Sequence, residues 1–230
     1  LIEAGGPRYE VDQQLNFFKA DEIADRRHPP TELNRRRMLG GTTSVWGGRC
    51  IPLDPADFAP GPGKSGWPVA FDEVAAHFPD ALGFLDAGTP EFTISAALPT
   101  PSGLLSHTAD SDVLLDRIER SSKPTDVWRK WETALAKAEQ VTVLHGAACT
   151  EILTSPDGNR VLGLRLVTRS NKSFKVLAPI VVLACGGLET PRLLLASRSV
   201  RSCGLGNEHD LVGRFYMTHL VGDVGQLRLA

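Results

Sequence analysis

Residues 141–197 constrain the fold of this chain most, because several strand patterns and one helix pattern follow each other there. Alternating apolar and polar residues, with turn residues between the stretches, predict antiparallel strands that form a β-meander. Residues 180–183 are apolar throughout, as expected of a parallel strand covered on both faces. Strands are predicted at 141–144, 149–154, 161–168, 174–177 and 180–183, and a leucine-rich helix at 189–197. This order predicts an α/β fold in which an antiparallel meander interrupts a doubly wound, Rossmann-like sheet.

The first residues also have a strand pattern. Leu1 and Ile2 lead into the acid Glu3 and then two glycines, which indicates the end of a β-strand. In dinucleotide-binding βαβ units an acid at this point hydrogen-bonds the ribose hydroxyls, and the phosphate-binding glycines lie about 20 residues earlier. We therefore expect Glu3 to hold a ribose and the glycine motif to precede Leu1. A solvated strand end is the alternative for Glu3 taken alone.

The rest of the chain predicts helices and two surface excursions. Residues 7–34 are polar and contain a Pro-Pro pair, and residues 86–111 show no period, so both ranges are expected to run over the surface. Apolar residues at helical spacing over 71–85 predict an amphipathic helix that kinks or restarts at Pro79. Further helices are predicted at 113–118 and around 128–138, the second with Thr125 or Asp126 as its cap.

The glycine-rich run, residues 40–48, is the strongest functional signal. It holds four glycines and three hydroxyl residues. Backbone with so few side chains can approach a flat or anionic ligand closely and donate its N–H groups. A glycine-rich structural turn explains the composition equally well.

Composition argues against several classes of function. A formal net charge of -2 over 230 residues gives no electrostatic footprint for nucleic acid or for an anionic membrane. No apolar run is long enough to span a bilayer. The four cysteines show neither a CxxC pair nor metal-ligand spacing, so we expect no metal site, and reduced, mostly buried thiols of a cytoplasmic protein. Disulfides are the less favoured alternative.

The glycine-rich run resembles the second signature of the glucose–methanol–choline (GMC) oxidoreductases, in the branch written Gly-Gly-Thr-x-x-x-Trp-Gly-Gly. The resemblance continues in the same order along nearly all of the chain. The further matching segments are 65–68, 122–126, 183–195 and 204–219. Ordered agreement of five segments is specific to this family.

The resemblance implies a bound FAD and gives roles to particular residues. Glu3 would hold the ADP ribose, and Cys149 would meet the adenine edge through its backbone. The glycine-rich run would follow the pyrophosphate and the flavin edge, with its Trp-Gly-Gly end beside the reactive face of the isoalloxazine. The implied cofactor-binding residues are Glu3, Gly40, Gly41, Thr42, Thr43, Trp46, Gly47, Gly48, Cys149, Ala184, Gly186 and Gly187.

Two departures from the family pattern matter. Relatives with a covalently attached flavin carry histidine just before the tryptophan, whereas Val45 stands there, so we expect non-covalent FAD. The family's catalytic histidine lies in a C-terminal segment that we expect beyond Ala230. The catalytic residue is therefore unknown here, and the resemblance makes His219 a packed histidine instead of the base. Residues 1–217 are predicted to form an incomplete FAD-binding domain, and residues 218–230 the start of a substrate-binding domain.

The implied reaction is oxidation of a CH–OH group by hydride transfer to flavin N5. The Trp-Gly-Gly branch includes sugar and polyol oxidases and dehydrogenases, so a sugar, polyol or similar alcohol is the expected substrate. The electron acceptor is unknown, and this piece alone is expected to be inactive. One alternative is a non-catalytic nucleotide-binding fragment or degenerate flavoprotein. A nicotinamide-dependent reductase is the other, and it leaves the glycine-rich run without a role.

Overall fold

The computed structural model describes residues 1–18, 30–33, 35–61, 65–98, 116–123 and 125–217. These residues form a mixed α/β structure with three small sheets. They divide into two compact units. The meander unit comprises the described residues of 1–41 and 135–217, and the helical unit comprises those of 42–134.

Each unit contains its own β-strands, and each sheet lies within one unit. The strands are β1 (Ile2–Glu3), β2 (Arg49–Cys50), β3 (Arg120–Ser121), β4 (Leu144–His145), β5 (Ala147–Thr154), β6 (Val161–Thr168) and β7 (Ser173–Leu177). The helices are α1 (Val11–Phe18), α2 (Pro55–Phe58), α3 (Phe71–Ala75), α4 (Phe78–Phe84), α5 (Ile94–Ala97), α6 (Val127–Lys137) and α7 (Gly186–Ala196). A 3-10 helix spans Gly41–Ser44. None of the helices in the described ranges combines the length and apolarity needed to cross a bilayer.

The meander unit is built on the antiparallel sheet β5-β6-β7, which confirms the predicted meander. The sheet is central to the core because Leu166, with no exposed surface, pairs with Cys149 on one side and Phe174 on the other. In the same unit β1 pairs in parallel with β4, so the predicted strand at the first residues is also confirmed. The strand predicted at 141–144 begins only at Leu144.

A buried serine joins α7 to this sheet. Ser197 is 2% exposed, and its hydroxyl accepts a hydrogen bond from Ile152 N at 2.9 Å. The same hydroxyl donates to Leu193 O at 2.8 Å. Both groups that the hydroxyl contacts are backbone groups, one in β5 and one in α7. The Ser197 side chain therefore links the helix to the strand where no direct backbone hydrogen bond joins these two groups.

The helical unit contains a row of aromatic rings, of which Phe58 is buried. Trp67, Phe58, Phe71, Phe78 and Phe92 follow each other with ring centroids 5.2, 5.6, 6.2 and 6.3 Å apart. Most of these pairs meet edge to face, a favourable arrangement for aromatic rings. The helix restarts near Pro79 as predicted, because α3 ends at Ala75 and α4 begins at Phe78.

Two sequence predictions about local structure are wrong. Residues 180–183 form no strand, and Ile180 and Val182 are 81% and 84% exposed instead of covered on both faces. The surface excursion predicted at 7–34 contains α1, whose Gln14 is only 1% exposed. Its side-chain amide donates to Glu32 O and Arg35 O and accepts from Arg37 N, so α1 is held by the chain that returns over it.

Two further predictions need adjustment. All four cysteines are free, but Cys185 and Cys203 are exposed, so the thiols are not mostly buried. Of the helix predicted at 113–118, residues 116–118 are not helical, and Arg117 bridges Thr93 instead. The other three residues of that helix, and the predicted substrate-domain start at 218–230, lie outside the described residues. The doubly wound sheet and the boundary at residue 217 stay predictions.

Candidate functional site

In the helical unit the end of the glycine-rich run contacts the segment 122–127. Ser122 N donates to Gly48 O at 2.7 Å where β2 and β3 pair. Val127 N donates to Thr43 Oγ1 at 3.2 Å. Two of the segments that carry the family resemblance, far apart in the sequence, therefore form one connected structure.

Thr125 and Trp46 complete this connection. The indole Nε1 of Trp46 donates to Thr125 O at 3.1 Å, which fixes the ring against the segment. The Thr125 hydroxyl is itself held by Ser122 Oγ at 2.9 Å and by Leu85 O at 2.9 Å. Both hydroxyl residues are 5% exposed, so their hydrogen bonds form away from water.

The adjacent glycines Gly47 and Gly48 have different surroundings. A Cβ added to Gly48 would lie 2.6 Å from Ser122 O, and its φ is +74°. A Cβ added to Gly47 would meet nothing within 4 Å. The close approach of the chain to itself therefore explains Gly48 but not Gly47, where the backbone faces open space.

In the meander unit Glu3 lies at the end of β1. Its Oε1 accepts a hydrogen bond from Gly5 N at 2.7 Å. Burial raises the pKa of the Glu3 carboxyl above its ordinary 4.5, while the Gly5 hydrogen bond and the charge of Arg37 act in the opposite direction. A partly buried carboxylate of this kind is suited to accepting hydrogen bonds from ribose hydroxyls.

Cys185, just before α7, lies within the electrostatic reach of Glu3. Although Cys185 as a whole is exposed, partial desolvation of its thiol raises the pKa, and the negative charges of Glu189 and Glu3 add to this. Burial also raises the pKa of the Cys149 thiol, with Cys185 as a smaller influence. Both β1 and α7 contact β5, so Glu3 and the start of α7 belong to elements next to the strand that holds Cys149.

The start of α7 offers unobstructed backbone. A Cβ added to Gly186 or Gly187 would meet nothing within 4 Å. The first N–H groups of a helix have no partner within the helix, and the helix dipole favours negative charge there. This end of α7 is therefore open to an anionic group.

Arg37 was not selected from the sequence, although it belongs to an arginine run beside the glycine-rich run. Its guanidinium carbon lies 3.9 Å from the Phe17 ring centroid. Its Nε is buried and has no hydrogen-bond partner among the described residues. Burial lowers the pKa of Arg37, and Arg169 adds to this, while Glu3 opposes it. An unpaired buried donor next to Glu3 could serve a ligand, and only the fold reveals it.

The predicted cofactor residues fall into two groups. The meander unit holds Glu3, Gly40, Gly41, Cys149, Ala184, Gly186 and Gly187. The helical unit holds Thr42, Thr43, Trp46, Gly47 and Gly48. His219 lies outside the described residues. The cofactor roles of all these residues stay predictions.

Comparisons with known proteins bear on the same segments. A family model described as GMC oxidoreductase matches residues 119–221. The 2-methyl-1,2-propanediol dehydrogenase of Mycolicibacterium austroafricanum is 24% identical over 227 residues, covering 80% of this chain and 41% of that protein. The fructose dehydrogenase large subunit of Gluconobacter japonicus is 39% identical over 62 residues, covering 26% of this chain and 11% of that protein.

Among solved structures, a formate oxidase superposes with a TM-score of 0.41 at 15% identity, covering 85% of this chain and 42% of that chain. The chain thus spans less than half the length of the curated relatives that it matches. The family match includes the segment 122–126, the start of α7 and the stretch after it. The resemblance drawn from the sequence is therefore confirmed, in that residues 119–221 match the model of the GMC oxidoreductase family.

Proposed function

We propose that this chain is part of an FAD-dependent oxidoreductase that oxidises a CH–OH group of a sugar, polyol or similar alcohol. The observation that carries the proposal is the contact between the glycine-rich run and the segment 122–127, through Trp46, Gly48 and Thr43. Both segments belong to the family pattern. Two relatives are named for dehydrogenation of a diol and of fructose, which supports an alcohol as the substrate.

The meander unit would hold the ADP half of FAD. Glu3 would accept hydrogen bonds from the ribose, with its carboxylate already oriented by Gly5 N. Gly186 and Gly187 leave room for a pyrophosphate at the open end of α7. Arg37, whose buried Nε has no partner among the described residues, would supply a further donor for a phosphate oxygen. These residues therefore fit the polar groups of a dinucleotide.

Residues 42–48 of the glycine-rich run would border the flavin half. FAD, when bound, supplies the two-electron acceptor at flavin N5. Thr42, Thr43 and Gly47 would line its edge, with Trp46 fixed by its bond to Thr125 O. Val45 has no nucleophilic atom, so the chain would hold the cofactor without a covalent bond. The histidine base is proposed to belong to sequence after Ala230, and the present residues bind, orient and exclude water.

Reconstitution with FAD tests the proposal directly. The 230-residue chain is incubated with FAD or riboflavin, and the dissociation constants are measured by quenching of flavin fluorescence. FAD is expected to bind, and acid precipitation is expected to release all of it. A chain that takes up neither flavin would contradict the proposal.

Glu3→Gln and Glu10→Gln form a matched pair for the ribose contact. Glu10 is an exposed acid of the same unit that pairs with Arg169 at 2.7 Å. Loss of a charged hydrogen-bond acceptor is expected to weaken FAD binding about tenfold or more in Glu3→Gln. Riboflavin, which has no ADP ribose, should bind equally to both variants. Equal FAD affinity in both variants would remove Glu3 from the site.

A second candidate function is nucleotide binding without oxidation. It is favoured by the clustering of the proposed adenosine residues Glu3 and Cys149 with the start of α7 within one unit. In that case ADP would bind as tightly as FAD, because the isoalloxazine would add no contacts. Affinity for FAD at least about tenfold above that for ADP would exclude it.

A further inference from the structure

The helical unit contains an apolar cavity of about 230 Å³ that is partly open to solvent. One wall comes from the chain at 46–52, and the other from α4 together with Leu85 and Phe92. Most of the lining side chains are aromatic or aliphatic, among them Trp46, Phe78 and Leu82. Arg49 and Cys50 are the polar exceptions.

The size and the lining of the cavity favour an apolar occupant. A buried water needs two to four polar partners, which walls of this kind do not supply. An apolar cavity of about 150 Å³ is known to bind benzene, so in proportion a cavity of about 230 Å³ takes about nine non-hydrogen atoms. An occupant of this size would also restore the dispersion contacts that the lining atoms otherwise lack.

The charge at the cavity is already neutralised within the unit. Arg49 Nε donates to both carboxylate oxygens of Glu119, at 2.9 and 2.8 Å, and its Nη2 lies 2.7 Å from Oε2. Since this bidentate pair occupies the guanidinium, it offers no free cation to an anionic ligand. The occupant is therefore expected to be uncharged.

Trp46 connects the cavity to the proposed flavin site. Its ring lines the cavity and is fixed by the bond from Nε1 to Thr125 O. The same residue belongs to the Trp-Gly-Gly end of the glycine-rich run, next to Gly47, which faces open space. A molecule in the cavity would thus lie beside the part of the chain proposed to border the isoalloxazine.

We propose that this cavity holds the hydrocarbon part of the substrate, so that the substrate is an uncharged alcohol with a compact apolar body. Within the proposed class of substrates this favours the similar alcohols over a sugar or polyol, because hydroxyls buried against these walls would lose their hydrogen bonds to water without replacement. Identification of the occupant as substrate rests on the proposed function. The prediction that the cavity binds a compact apolar alcohol is independent of that function.

Protection of Cys50 from alkylation tests the binding. Cyclohexanol and myo-inositol share a carbocyclic ring but differ in polarity, so they make a matched pair of probes. Alkylation by N-ethylmaleimide is followed at each cysteine by peptide mass spectrometry, with the exposed Cys185 and Cys203 of the meander unit as internal controls. At about four times its dissociation constant, cyclohexanol should slow alkylation of Cys50 about fivefold, because only free protein reacts.

A space-filling variant locates the protection. Ala81 is an exposed residue of α4 that lines the cavity, so Ala81→Phe should fill the cavity and abolish protection by cyclohexanol. Ala76→Phe, at an exposed position outside the lining, should keep it. Unchanged protection in Ala81→Phe would overturn the proposal, as would equal protection by myo-inositol or no protection of the unmodified chain.

FAD titration of the same samples separates this proposal from the proposed function. Protection by cyclohexanol in a chain that binds no flavin would support the cavity while refuting the flavoprotein function. Flavin binding without any protection of Cys50 would refute the cavity alone.

Discussion

Substitution of the neighbouring glycines Gly47 and Gly48 tests which of them is needed for folding and which for ligand binding. Gly48 has φ +74°, and a Cβ there would lie 2.6 Å from Ser122 O. A Cβ at Gly47 would meet nothing within 4 Å. We expect Gly48→Ala to destabilise the helical unit and Gly47→Ala to leave its stability almost unchanged.

The expected cost of Gly48→Ala follows from two contributions. A left-handed backbone costs a residue with a Cβ about 1–2 kcal/mol. Relief of the clash moves the chain away from Ser122 and so weakens the 2.7 Å hydrogen bond from Ser122 N to Gly48 O, which is worth about 0.5–1.5 kcal/mol. Gly48→Ala should therefore lower the free energy of unfolding by roughly 1.5–3.5 kcal/mol, against about 0.5 kcal/mol or less for Gly47→Ala.

Tryptophan fluorescence is a suitable probe, because all four tryptophans belong to residues 42–134 of the helical unit. Urea unfolding of the two variants and the unmodified chain gives the three free energies of unfolding. In FAD titrations Gly47→Ala should weaken binding by at least about tenfold, since its methyl would enter the space proposed for the flavin. Equal stability of the two variants would refute the packing argument, and unchanged FAD affinity in Gly47→Ala would refute the ligand argument.

Three other substitutions test separate parts of the meander unit. Burial raises the pKa of Glu3, so ionisation of this carboxyl destabilises the folded state. The free energy of unfolding should therefore fall as the pH rises from about 4.5 through the folded pKa. The urea midpoint of Glu3→Gln should not show this fall. Ser197→Ala leaves Ile152 N without its partner and should cost about 1–3 kcal/mol in urea unfolding, whereas Ser197→Thr, which keeps the hydroxyl, should cost less. Val182→Ser should reduce concentration-dependent light scattering of the chain, because Val182 is 84% exposed; unchanged scattering would show that this segment does not drive association.

The elements that the sequence predicted correctly are those with local signals. The strand predicted at 161–168 has the same bounds in β6, and the predicted helix restarts near Pro79 between α3 and α4. A proline and a strict alternation of apolar and polar residues determine secondary structure within a few residues, so the result depends little on distant contacts. Asp126 also precedes α6, where its Oδ1 accepts from Arg129 N at 3.2 Å.

The elements that the sequence missed depend on distant partners. α1 is held by hydrogen bonds from Gln14 to backbone about twenty residues away, which no local pattern shows. Residues 180–183 have the composition of a buried strand, but a strand also requires a neighbour to pair with, and apolar composition does not specify one. Composition therefore predicted a preference of residues 180–183 for a buried strand, but it did not predict the position of these residues in the fold.

The same limit applies to the candidate site, where glycines that all belong to Gly-Gly pairs have different roles. Gly5 must be glycine because a Cβ would lie 2.1 Å from Arg37 O, and Gly48 because of Ser122 O. The protein's own packing explains both without a ligand. Gly47 and Gly187 have open space instead, so packing gives no reason for a missing side chain there. A molecule that must approach the backbone closely does give such a reason, and we therefore propose that the cofactor lies against the backbone at these two positions.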